Sequence, residues 1–70
     1  MSEEQAILEA IDAERIAQGV SVAEMCARAG MPAGTFYRWF SGGGTPRLTT
    51  VLLLCKALGL TLTVRKDKKS

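Results

Sequence analysis

Seventy residues with no histidine, two cysteines and a formal net charge of +2 suffice for one small domain, which buries only ~60% of the surface its unfolded chain exposes. Without histidine, or paired carboxylates in an apolar setting, the parts for acid–base or metal catalysis are missing, so an enzyme is not expected and no cofactor or metal is invoked. The charges are sorted: residues 1–30 hold six acids against Arg15 and Arg28, a balance of −4, while residues 31–70 hold seven bases against Asp67, a balance of +6, which suits one surface to a polyanion.

The chain opens with Ser2 and, three residues on, Gln5, a capping-box pattern. Ile7, Leu8, Ile11, Ile16 and Ala17 follow at near-helical spacing and Gly19 closes the run, so a first helix is predicted over about 3–18. "SVAE" repeats the start signal, with Ser21 as N-cap and Glu24 three residues later. The second helix turns Val22, Met25, Cys26 and Ala29 inward and stops at Gly30.

Pro32 fits the first turn of a third helix, where its missing N–H is no loss. Phe36, Trp39 and Phe40 then share one face at i, i+3 and i+4. That face reads as core, and Thr35, Tyr37, Arg38 and Ser41 lie around the rest of the cylinder. Gly42 ends the helix and "GGGTP" is a loop; it lacks the lysine and spacing of a phosphate-binding loop. "LTTVLLLCKALG" is apolar over most of its circumference, as a central fourth helix would be. In "LTLTVRK" the period changes to two: Leu60, Leu62 and Val64 alternate with Thr61, Thr63 and Arg65, a strand pattern. A lone strand needs a partner for its backbone, and the economical one is the same strand of a second subunit across a two-fold axis. The domain is thus drawn as residues 1–64, with a dimerisation strand at about 60–65 and a basic tail, "RKDKKS", over 65–70.

Cys26 and Cys55 each stand in an apolar run and read as buried free thiols of a reducing compartment. The start "MSEEQ" is acidic, unlike a signal peptide, and "VLLLC" is far too short to span a bilayer. A soluble cytoplasmic protein with no membrane partner is expected.

Two short helices joined by a tight Gly-containing turn describe a helix-turn-helix. From about Ile11 to Leu62 the chain resembles the phage-repressor-like, Cro/C1-type (XRE) helix-turn-helix family. The resemblance is carried by Gly19 and Ser21 entering the second helix, a small residue at Cys26, the turn Gly30, Gly42, the Pro46/Leu48 pair and "ALG" at 57–59. The ending "TVLLLCKALGLTLTVR" is similar to HigA-type addiction-module antidotes, which close with a short strand. The resemblance implies an all-α, four-helix, lambda-repressor-like domain with a C-terminal β-strand pairing across a dimer. It also implies a repressor of its own operon on a phage or mobile element, bound as a homodimer to an inverted repeat in double-stranded DNA.

By the same resemblance, the start of the third helix meets base edges through Ala33, Gly34, Thr35, Tyr37 and Arg38. The small residues would admit close approach, and Arg38 would contact guanine. Ser21, Ser41, Thr45 and Arg47 would meet phosphates, assisted by the amides of Gly43 and Gly44. Leu60, Leu62 and Val64 would form the dimer interface. Two departures stand out. Val22 replaces a phosphate-anchoring glutamine common in the family, and Phe40 replaces a glutamate that often pairs with arginine at the Arg15 position, so Arg15 must find Glu24, another acid or water. The rival reading is an antitoxin that masks a cognate toxin by direct protein binding, with DNA binding secondary.

Overall fold

The computed structural model describes residues 3–64. Among them the chain forms four helices and no strand: α1 (Glu3–Gln18), α2 (Val22–Ala29), α3 (Ala33–Phe40) and α4 (Leu48–Ala57). The architecture is all-α. The predicted cap Ser2 and the basic tail 65–70 lie outside the described residues. The predicted strand falls partly within them, and Leu60–Val64 carries no regular secondary structure here. The expected strand is thus not supported, and among the described residues this segment has no second strand to pair with.

All four helices end by the same device. A glycine in the left-handed region follows each one: Gly19, Gly30, Gly42 and Gly59, with φ of 71°, 75°, 85° and 71°. After α2, Gly30 N–H donates to the Ala27 carbonyl (3.2 Å) and Met31 N–H to the Cys26 carbonyl (2.9 Å). This is the Schellman pairing, which satisfies carbonyls that the helix would otherwise leave bare. Gly59 and Leu60 do the same for Lys56 and Cys55, at 3.1 and 2.7 Å. Starts are less uniform. Ser21 Oγ accepts from Glu24 N–H at 3.0 Å, but the Glu24 carboxylate pairs with Arg28 instead of reaching back to Ser21. Only half of the predicted capping box therefore forms. Pro32, expected inside the first turn of α3, stands one residue before it with ψ 139°, because an extended residue is needed to leave the turn at Gly30.

Every helix contributes to one core: Leu8 and Ile11; Val22, Met25, Cys26 and Ala29; Phe36 and Trp39; Val51, Leu54, Cys55 and, just past the helix, Leu58. Phe36 stands edge-on to Trp39 and Phe40, with ring centroids 6.2 and 5.1 Å apart, a favoured arrangement for aromatic quadrupoles. Burial pushes both cysteine thiols above their ordinary pKa, which keeps them protonated and inert. Two sequence expectations need correction. Ile16 and Ala17 are exposed, so the inward stripe of α1 is only Leu8 and Ile11. And α4 is not wrapped on all sides: Leu48, Leu52 and Leu53 are exposed, at 65%, 45% and 47% of their surfaces.

Polar side chains tie the helix ends together. Gln18 Nε2 donates to the Leu58 carbonyl (2.8 Å) and Arg28 Nη1 to the Ala57 carbonyl (3.3 Å), so α1 and α2 both hold the end of α4. Arg15 donates to the Val20 carbonyl (2.8 Å) and pairs with Asp12 at 2.8 Å. Of the partners open to Arg15 in the sequence, the acid it finds is thus Asp12, one turn back on its own helix.

Candidate nucleic-acid interface

α2 and α3 are joined by Gly30, Met31 and Pro32, a turn short enough to hold the two helices at a fixed angle. Phe36, Trp39 and half-buried Phe40 press one side of α3 onto the core. The opposite side carries Gly34, Tyr37, Arg38 and, just past the helix, Ser41, spaced i, i+3, i+4 and i+7 and all exposed. Tyr37 keeps 60% of its surface in solvent. Of the residues expected to read bases, the structure therefore brings Gly34, Tyr37 and Arg38 onto one open face. Ala33 is half-buried and packed against the core, and Thr35 is half-buried on the other flank. Both border the face and neither dominates it.

The residues expected at phosphates divide in the same way. Ser21 is exposed at the start of α2, and its Oγ uses only acceptor capacity on the Glu24 amide, which leaves its O–H to donate outward. Arg47 is the exposed N-cap residue of α4, a helix start that no side chain caps. Ser41 is otherwise committed: its hydroxyl donates to the Arg38 carbonyl at 3.0 Å. The Gly43 amide is also taken, donating to that same carbonyl at 2.8 Å, so it is not offered to a phosphate. Thr45 is exposed at the edge of a cleft lined by Glu4, Gln5, Trp39 and Gly44, and the Glu4 carboxylate opposes an anion there.

The arginines sort the electrostatics. Arg15 and Arg28, from the acidic half of the sequence, pair with Asp12 and Glu24. Arg38 and Arg47 form no ion pair among the described residues. The unneutralised guanidinium charge thus lies at α3 and the start of α4, where the polyanion reading of the sequence needs it.

A family model described as a helix-turn-helix domain matches residues 9–67, which takes in the whole of α2, the turn, α3 and α4. The chain belongs to that family. No curated protein and no solved structure is significantly similar to it. Membership in the helix-turn-helix family points to duplex DNA as the partner, since in such domains the second helix of the pair enters the major groove while the first crosses the backbone. In this helix-turn-helix domain those helices are α3 and α2. No helix among the described residues is long and apolar enough to cross a membrane.

Gly43, which the sequence offers only for its backbone amide, has a second property here. A Cβ placed there would overlap Arg38 Cγ outright and stand 3.0 Å from Cδ and 3.1 Å from the Arg38 carbonyl oxygen. The run "GGG" drew attention to the backbone amides, but nothing in it announces that a neighbouring side chain lies across the middle glycine.

Proposed function

We propose that the chain is a transcription regulator that binds duplex DNA as a dimer, reading the major groove with the open face of α3. The observation that carries the reading is that face: Gly34, Tyr37 and Arg38 serve no core purpose, and the two arginines without an ion pair among the described residues lie on it and at the start of α4. Arg38 is assigned to a bidentate guanine contact, Tyr37 to sugar or phosphate, and Ser21 and Arg47 to phosphates at the starts of α2 and α4. Repression of its own operon, by occlusion of the promoter, follows from the resemblance to phage repressors. The reading includes no catalytic step and no cofactor.

The test is fluorescence anisotropy at near-physiological salt, with the duplex upstream of the protein's own gene and a shuffled duplex. The wild type is expected to prefer the upstream duplex by ~10³ or more. Arg38→Ala should lose about 5- to 150-fold of that preference, the equivalent of one bidentate base contact. Equal binding of the two duplexes by the wild type would sink the reading.

A second copy of the chain is proposed as the partner for the remaining apolar surface. Ile7, Leu48 and Leu62 line one groove, and exposed Leu52 stands one turn after Leu48 on α4. Leu60 packs on the core of its own chain, whereas Leu62 and Val64 are exposed at 38% and 95%. Pairing of the segment around Leu62 and Val64 with its two-fold mate would supply the missing strand partner and cover this groove. Sedimentation equilibrium should return twice the 7.5 kDa chain mass. Val64→Asp, which sets like charges across the two-fold axis, should return one chain mass and a melting temperature that no longer rises with protein concentration. A monomeric wild type rules the dimer out. The antitoxin reading assigns this apolar groove to a toxin instead, and a toxin-like reading frame beside the gene would favour it.

A further inference from the structure

We infer that Gly43 is a positioning residue for DNA readout: by carrying no side chain, it leaves open the path along which the stem of Arg38 lies, and so sets how Arg38 meets a base. The inference rests on the DNA-binding reading above and names a determinant of its specificity.

The four helix ends supply the comparison. In this end motif the residue after the left-handed glycine folds back over the third residue from the helix end, and an apolar contact commonly forms there. After α1, α2 and α4 that residue is Val20, Met31 or Leu60, each half-buried and packed against the core. After α3 it is Gly43, exposed, with the Arg38 stem in the space a side chain would take. Gly43 does not have a positive φ, so its backbone conformation is open to any residue and makes no demand for glycine. Space does.

The consequence for Arg38 follows from rotamers. A helical side chain has two accessible χ1 wells, because the third drives it into the preceding turn. A Cβ at residue 43 would fall on Arg38 Cγ, closing the well now occupied and sending the whole side chain to the other. The backbone beneath is held at the same point: the Arg38 carbonyl accepts from Ser41 N–H (3.2 Å), Ser41 Oγ (3.0 Å) and Gly43 N–H (2.8 Å). Arg38 thus enters a groove with its main chain fixed and with the stem position it now holds open to it, a position that any side chain at residue 43 would close.

The experiment is a double-mutant cycle of Gly43→Ala and Arg38→Ala, read with the duplex that the wild-type protein enriches from a library of random duplexes. Circular dichroism melts of all four proteins accompany it. Gly43→Ala should weaken binding at least about fivefold, the low end for one base contact, and relax the same base position as Arg38→Ala. In the Arg38→Ala background it should change binding less than about twofold. If Gly43→Ala fails to fold, recovery of the fold in the double variant supports the contact, whereas failure of both overturns it. Undiminished binding by Gly43→Ala, or an equal loss in both backgrounds, also overturns the inference while leaving the DNA reading intact. A wild type that enriches no duplex removes both.

Discussion

Phe36→Ala is expected to remove between about a third and all of the domain's stability, and to weaken specific DNA binding with it. Phe36 is 1% exposed and stands edge-on to two other rings. Truncating such a residue costs about 3–5 kcal/mol in lost burial and residual cavity. A chain of this length has roughly 3.5–10 kcal/mol of total stability, so the change consumes much of what is available and, at the lower end, all of it. The functional loss has a local cause. Phe36 and Trp39 are the buried members of α3, and without Phe36 the helix is held by Trp39 and half-buried Phe40 besides its turn and its end motif. Phe36→Leu keeps most of the volume and should melt cooperatively at a lower temperature, with DNA preference retained. Urea titration followed by circular dichroism checks both variants. A Phe36→Ala transition within a few degrees of wild type would show that α3 is seated by something other than this ring.

Helix limits were legible in the sequence because they rest on local chemistry. Gly19, Gly30, Gly42 and Gly59 each stand where the chain must take a left-handed residue, and Ser21 supplies a cap within its own turn. The core face of α3 was legible too, since three aromatics at i, i+3 and i+4 leave little choice. What failed depends on the neighbours of each helix. Ile16 has the spacing of the α1 stripe but no neighbouring element covers it, and it stays 62% exposed. The leucines of α4 are apolar all round, yet α2 covers only one side, and hydropathy alone cannot say how many neighbours a helix will have. The resemblance places Ser41 and the Gly43 amide at phosphates, whereas the end of α3 already uses both hydrogens on the Arg38 carbonyl. Of the proposed readout residues, Gly34, Tyr37 and Arg38 follow from the helical wheel once the aromatic face is known. Gly43 does not, because its role depends on the path of another residue's side chain.

Gly34→Ala is expected to raise the melting temperature and weaken DNA binding in the same protein. Gly34 lies within α3, does not have a positive φ, and has nothing within 4 Å of the position a Cβ would occupy. The isolated chain gives no reason for glycine there. It pays instead an entropic penalty of about 0.5–1 kcal/mol relative to alanine, and recovering that should lift the midpoint by roughly 2–8 °C in a domain of this size. The added methyl, however, projects from the face that carries Tyr37 and Arg38. If base edges come close enough there for Arg38 to make a bidentate contact, the methyl must displace them. A loss of about tenfold, or 1.4 kcal/mol, is then expected. The opposed signs are what make the variant informative. A weakened core lowers stability and binding together, as at Phe36, and loss of an exposed contact such as Arg38 lowers binding while the melt stays put. Only a residue kept small for the sake of a partner moves the two in opposite directions. A melt and an anisotropy titration on one preparation decide it, and a rise in both would mean that DNA does not approach the backbone of α3 at Gly34.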